Sequence, residues 1–290
     1  MELRVLRYFR AVADEGSITD AAKALHVTQP TLSRQLAQLE NELGTPLFAR
    51  GRGGIELTDR GVVLYRYARN IIDLAEKAEE EVAAPTSTVS GTVHIGAGET
   101  HAFSIVARAC ANVRAKFPNV TFDVHDGTSA DLWDNFVRGY YDALLDCDSG
   151  PNPDFNQVVL PIHDVWGVVV CRDDPLADLD VIHPEDLEGQ DIIVSGQGMK
   201  RTIGRWADKS LDRMSIVSSY GLPLNSRLLV AEGVGVMLAY GGLVDEMSSE
   251  GLCFRPLSPC LEARHKVLWR KTIPTKQAQA FLDELKALCP

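Results

Sequence analysis

No stretch of this 290-residue sequence is apolar for the roughly 20 residues that a membrane-spanning helix requires. The opening Met1-Glu2-Leu3-Arg4-Val5-Leu6-Arg7 lacks the architecture of a secretion signal, so a cytoplasmic location is expected. The six cysteines (Cys110, Cys147, Cys171, Cys253, Cys260 and Cys289) include no Cys-x-x-Cys pair, and no Cys/His cluster has zinc-ligand spacing. Neither a metal nor a cofactor is expected. The thiols read as small apolar residues. A redox switch using Cys253 and Cys260 is the alternative, and it requires a thiolate-favouring setting that the sequence does not display. Enzyme signatures are also missing. Gly96-Ala97-Gly98 is followed by His101 where a dinucleotide fingerprint needs glycine, and Ser195-Gly196-Gln197-Gly198 is not a nucleophile elbow. No catalytic residue is assigned.

Excess positive charge is missing too. The net charge is −11, with 45% hydrophobic and 24% charged residues, an ordinary balance for a globular protein of about two domains. Residues 1–60 carry eight basic and eight acidic side chains, so the whole deficit lies in the remainder. An acidic body behind a neutral head repels stray nucleic acid and leaves any contact to the head.

What is present begins in that head. Leu3, Leu6, Phe9, Val12 and Ala13 recur at helical spacing, predicting a helix over 2–14 that Gly16 ends. Ser17 suits the N-cap of a second helix through Ala21, Ala22 and Leu25. His26-Val27 makes a turn, and Thr28 suits the cap of a third helix with Pro30 in its first turn and Gly44 at its end. Leu32, Leu36, Leu39 and Leu43 form its core stripe. The polar side carries Thr28, Gln29, Pro30, Thr31, Ser33, Arg34, Gln38 and Asn41. Arginine reads guanine, glutamine reads adenine, and hydroxyls take bases or phosphates, so this is a major-groove composition. A merely solvated helix face is the competing explanation. Leu47 to Thr58 then reads as strand, glycine turn, strand, a wing with Arg50 and Arg52 near its tip.

The run Gly16-Ser17-Ile18, Ala21-Ala22, Val27-Thr28-Gln29-Pro30, Leu32-Ser33-Arg34-Gln35-Leu36, Leu39-Glu40, Leu43-Gly44, Leu47-Phe48-Ala49-Arg50 and Leu57-Thr58-Asp59-Arg60-Gly61 resembles the winged helix-turn-helix of LysR-type transcriptional regulators. The resemblance implies a DNA-binding domain over 1–58, with Thr28, Gln29, Pro30, Ser33 and Arg34 in the major groove and the wing on the backbone. It implies a linker helix over 59–84 that pairs two chains over an interrupted palindrome in double-stranded promoter DNA, as a homodimer or homotetramer. Contact with RNA polymerase fits such a role.

Within that helix Leu64, Ile71 and Ala78, with Tyr67, Leu74 and Val82 near the interleaved positions, form an approximate two-seam pattern. Packing on its own domain is the other explanation. Residues 85–91 read as a polar hinge. Beyond it, strand and helix patterns alternate: strands over 92–98, 120–126, 143–147, 166–171, 191–195, 214–219, 234–239 and 264–269, with a last helix over 275–288. Such alternation predicts an α/β domain with a mainly parallel sheet. The resemblance implies a two-lobed, periplasmic-binding-protein-like effector domain over 92–290, lobe I being about 92–161 plus 266–290 and lobe II about 162–265. A small-molecule effector would sit between the lobes, near strand ends and helix starts. The candidates there are Glu99, Thr100, His101, Thr128, Ser129, Ser195, Gln197 and Asn225. Ordinary helix caps are the alternative for Thr100 and Ser129. Glu99 departs from an anion-ready pocket. The competing functions are a two-lobed α/β enzyme fused to a DNA-binding head and a purely architectural DNA binder.

Overall fold

The amphipathic spacing of the first residues folds as a helix, α1 (Leu3–Glu15), in the computed structural model, with Leu6, Phe9 and Val12 buried. The structure describes residues 1–51, 54–83, 89–147, 150, 152–198, 202–243 and 251–289, apart from the side chains of 50, 51, 77, 80, 81, 83 and 197. Gly16 stops α1 at φ 64°, a left-handed conformation that glycine adopts without steric penalty. The Ser17 hydroxyl accepts the Asp20 N–H and caps α2 (Ile18–Ala24). His26 makes the tight turn at φ 54°, leading into α3 (Gln29–Leu43). Leu32, Leu36 and Leu39 are buried on α3, whereas Leu43, on the same stripe but in the last turn, is 43% exposed at the rim of the core.

The wing consists of β1 (Phe48–Gly51) and β2 (Gly54–Leu57), antiparallel with Phe48 opposite Leu57. Glu40 on α3 fixes its entry: one carboxylate oxygen accepts the Leu47 N–H at 2.7 Å and the Phe48 N–H at 3.2 Å. The Thr58 hydroxyl accepts the Gly61 N–H at 3.0 Å, capping α4 (Asp59–Ala83). A side chain at position 61 would collide with the Leu47 carbonyl oxygen, so glycine lets α4 start against the wing. One face of α4 packs on its own domain. Ala68 and Ile72 are buried in the α1–α3 core, Leu64 packs there too, and Tyr65 donates to Asp14 on α1. Leu64 is therefore not on a free seam. The other face leaves Val63, Tyr67, Ile71, Leu74, Ala78 and Val82 exposed.

The contacts divide the chain into Met1–Ala84 and Pro85–Pro290. In chain order the second unit contains β3 (Gly91–Ala97), α5 (Phe103–Lys116), β4 (Val120–Asp126), α6 (Ser129–Arg138), β5 (Ala143–Cys147), β6 (Phe155–Cys171) and β7 (Asp191–Ser195). Then come α7 (Gly196–Gly198), α8 (Gly204–Ala207), β8 (Ser215–Tyr220), α9 (Pro223–Ala231), β9 (Val236–Tyr240), β10 (Leu252–Pro256), β11 (Glu262–Arg270) and α10 (Lys276–Leu288). The strand order is β4-β3-β5-β11-β6-β9-β7-β8, with β10 also on β6. Pairing is parallel around β3 and β7 but antiparallel along β6 and β11, so the sheet is mixed rather than mainly parallel.

The reason is that β6 and β11 run in opposite directions between the lobes. β6 starts at Phe155 rather than Trp166. Pro161 hides its first half in the sequence, because proline cannot donate to a ladder and here sits in a register shift between the Val159–Lys266 and His163–Arg264 pairs. His265, opposite that irregularity, is fully buried, with Nε2 3.0 Å from Asp164 Oδ2. Thr100, at the end of the loop after β3, donates its hydroxyl to the same oxygen. Burial opposes ionisation of Asp164, but the hydrogen bonds from His265 and Thr100 outweigh it and hold the carboxyl below its ordinary value of 3.8. Removing one member of such a group strands the others without partners.

Asp164→Ala is therefore expected to destabilise the protein by about 3–5 kcal/mol in urea denaturation. A depressed carboxyl pKa contributes stability that is present above the ordinary value and lost as pH falls through the folded one. The wild type should accordingly lose stability below about pH 4, and in Asp164→Asn that acid-dependent loss should shrink.

Candidate functional site

The first candidate site is the outer face of α3. Thr28, Gln29, Pro30, Arg34 and Gln38 are exposed, with Thr31 and Ser33 half-buried beside them. Short hydrogen bonds organise the row: Thr28 Oγ1 with Thr31 Oγ1 at 2.8 Å, and Gln29 Nε2 donating to Ser33 Oγ at 3.1 Å. Thr28 occupies the N-cap position, but its hydroxyl turns to Thr31 and caps no backbone donor. The Thr31 and Leu32 N–H groups donate to the Thr28 carbonyl and Pro30 has no N–H, so α3 offers an outside acceptor the positive end of its dipole rather than a row of free donors. Arg50 lies on β1 with its side chain outside the described residues, and Arg52 lies outside them entirely.

The second candidate site is a cavity of about 340 Å³ in the second unit, lined from both lobes. Its walls include Glu99 after β3, Thr128 and Ser129 at the start of α6, and Ser195 at the end of β7. Thr128, not Ser129, caps α6, accepting the Asp131 N–H and donating to the Asp131 carboxylate at 2.7 Å. Ser195 Oγ accepts the Gly198 N–H at 2.8 Å. Glu99 is the one carboxylate among the described lining residues. Burial raises its pKa, and nearby Asp126 adds to this, while a hydrogen bond from the Leu224 backbone at the start of α9 opposes the shift.

Three expected residues lie elsewhere. Thr100 is buried and committed to Asp164, because the loop after β3 turns its hydroxyl toward the crossover strands rather than the opening. His101 and Asn225 are exposed and do not line the cavity; Asn225 lies on the first turn of α9. The Gln197 side chain lies outside the described residues.

Among the lining residues that escaped the sequence are four with hydroxyl or aromatic groups: Trp166, Thr202, Tyr220 and Tyr240. Tyr220 and Tyr240 are the last residues of β8 and β9, so the rule that ligands meet strand carboxyl ends would have found them. The Tyr220 hydroxyl donates to the Leu238 carbonyl at 2.7 Å, and burial pushes its pKa up. Trp166 and Tyr240 pack edge to face at 4.5 Å, and the buried Trp166 Nε1 has no acceptor among the described residues. The cavity therefore offers hydroxyls, indole and phenol rings, and one acid. All six cysteines are free thiols, and burial pushes Cys110 up to about 12, which suppresses its thiolate.

Two family models match the chain. "Bacterial regulatory helix-turn-helix protein, lysR family" covers residues 3–62, and "LysR substrate binding domain" covers residues 86–290. The nitrogen assimilation regulatory protein nac of Escherichia coli (strain K12) is 35% identical over 182 residues, 62% of this chain and 59% of that protein. The uncharacterized HTH-type transcriptional regulator YybE of Bacillus subtilis (strain 168) is 28% identical over 240 residues, 82% of each. Among solved structures, CbnR, a LysR family transcriptional regulator, superposes with a TM-score of 0.76 at 19% identity, covering 100% of both chains. CbnR complexed with its target DNA gives the same TM-score at 20% identity, covering 99% of this chain and 100% of that one. No helix among the described residues is long and apolar enough to cross a membrane. With both family models matched in order along nearly its whole length, the chain belongs to the LysR family of DNA-binding transcriptional regulators.

Proposed function

We propose that the protein is a cytoplasmic regulator that reads an interrupted palindrome in promoter DNA through α3 and changes its output when a small molecule occupies the cavity of the second unit. The observation that carries this reading is that the cavity is lined by helix starts and strand ends of both lobes. A ligand touching both lobes favours one closure over another, and it shifts the equilibrium only by its differential affinity for the two. In this reading Gln29, Ser33, Arg34 and Gln38 face base edges, while Thr28, Pro30, Thr31, Arg50 and Arg52 lie along the backbone. Glu99, Thr128, Ser129 and Ser195 meet the ligand, and Glu99 takes a hydrogen-bond donor from it. The exposed stripe of α4 joins two copies, as dimers or as tetramers built from them, because its residues recur in steps of four, four, three, four and four. RNA polymerase is the partner through which promoter-bound protein would act.

Arg34→Ala is expected to weaken binding to the specific promoter by about 1–3 kcal/mol, with a smaller loss on random DNA, in fluorescence anisotropy titrations. Equal losses on both would make Arg34 a phosphate contact. Ile71→Asp is expected to dissociate the assembly in sedimentation velocity at micromolar protein, since the new charge would be buried at the seam. An unchanged sedimentation coefficient would overturn the pairing. For the cavity, a metabolite library is screened by thermal shift. A ligand at 100 times its Kd stabilises the protein by about 2.7 kcal/mol. Its shift should vanish in Ser129→Phe, which fills the cavity, and persist in Asn225→Ala, which lies outside it. Persistence in both places the ligand elsewhere.

A further inference from the structure

On the face of lobe I opposite the α5–α10 layer, three side chains from two neighbouring strands converge. His94 on β3 and Asp123 on β4 stand directly opposite each other in the parallel register, and His125 lies two residues further along β4, so all three project from one face. The intervening Val93 and Ile95 of β3 point the other way, into the core beneath α5 and α10. Asp123 Oδ2 lies 2.8 Å from His125 Nε2 and 3.2 Å from His94 Nδ1. One donor atom from each residue lies within 4.8 Å of the other two. Burial opposes ionisation of Asp123, yet hydrogen bonds and charge from His125 and His94 hold it below its ordinary value.

We propose that His94, Asp123 and His125 form a binding site for a divalent first-row transition ion. Two imidazoles and one carboxylate are donors for zinc, cobalt, nickel or copper, whereas calcium and magnesium require mainly oxygen. A tetrahedral ion with bonds of about 2.0–2.1 Å places its ligand atoms about 3.3 Å apart. The two measured separations lie close to that edge, so an ion needs small side-chain rotations rather than backbone movement. The strands themselves hold the donors in place. The His94 backbone N–H donates to Asp142 at 2.9 Å, and the His125 ring packs on Tyr141 at 5.5 Å. His125 is exposed, which leaves a fourth position open to water or a further ligand and makes the ion exchangeable. The ion would clamp the carboxyl end of β4, two residues before Gly127 in the cavity wall.

The alternative role for Asp123 is a simple acceptor for two histidines, and the test separates the two. Full-length protein is stripped with chelator and titrated with zinc chloride by calorimetry, then with cobalt(II) to read its ligand-field spectrum. One ion per chain is expected, not displaced by millimolar magnesium. His125→Ala, an exposed substitution that leaves the circular dichroism unchanged, should weaken binding by at least the roughly 10- to 100-fold that loss of an outer partner alone costs. His125→Cys, which restores a donor at the same place, should recover it and shift the cobalt spectrum toward thiolate ligation. Cys260→Ser should bind as the wild type does. No saturable zinc binding, or equal affinity in wild type and His125→Ala, would overturn the assignment and leave Asp123 as a hydrogen-bond acceptor alone.

Discussion

Two antiparallel strands, β6 and β11, carry the chain between the lobes of the second unit, and the buried contact of Asp164 with His265 sits where their register slips. A slip in a ladder leaves backbone and side-chain groups without neighbours. Here it turns His265 inward to a carboxylate that also takes the Thr100 hydroxyl. Thr100 belongs to the first lobe, so the group ties the loop after β3 to both crossover strands. Glu99, the preceding residue, is thereby held at the rim of the cavity. The surroundings leave no slack: a side chain at Gly242 would come within 2.7 Å of His101 Cβ and 3.1 Å of Asp164 Oδ1. A buried charge is costly unless its partners are all in place, so the group favours one joint geometry between loop and strands.

The reading unit solves a related problem with smaller means. The wing must start at a fixed place relative to α3, and the Glu40 carboxylate secures this by accepting two successive backbone donors. Charge-assisted bonds of this kind contribute about 1.5–3 kcal/mol each. The Ile55 N–H reaches back to the Gly16 carbonyl at 3.0 Å, where a side chain at Gly54 would intrude. α4 then divides its residues by face. Ala68 and Ile72 close the domain's own core, while the stripe through Ile71 and Leu74 stays exposed. The exposed ion pairs of Arg10 with Asp73 and Arg7 with Glu76 add little energy but orient α4 against α1.

Local chemistry was legible in the sequence wherever one segment decides its own structure. β4, α6, β5 and β7 lie where alternation and caps placed them, and Gly16 and Gly44 end their helices at positive φ. What was hidden depends on partners far along the chain. β6 looked six residues long because Pro161 interrupts its pattern, and only pairing with β11 keeps 155–165 extended. Thr100 looked like a ligand-facing hydroxyl until Asp164, 64 residues away, claimed it. Leu64 and Ile71 shared one heptad pattern, yet helix rotation buries the first against the domain and exposes the second. The nearness of His94 and His125 was hidden for the same reason: the parallel register, not the sequence interval, makes them neighbours.

The response proposed for the cavity would draw on groups that already stand across it from each other. Glu99, from the first lobe, lies close enough to the Leu224 backbone at the start of α9 in the second for that backbone to oppose the rise in its pKa. That position favours a carboxylate, since a helix start presents free donors and positive potential. Desolvation pulls the other way and raises the Glu99 pKa. Typical coupling between an effector site and a second site is about 1–3 kcal/mol. In the proposed reading, a ligand that takes Glu99 as its acceptor and offers an acceptor to the Trp166 indole, which has none among the described residues, would have to change the balance between lobe arrangements by an amount of that size. Glu99 and Trp166 both line the cavity, and Trp166 also belongs to the core around Val168, so the cavity wall and that core share a side chain.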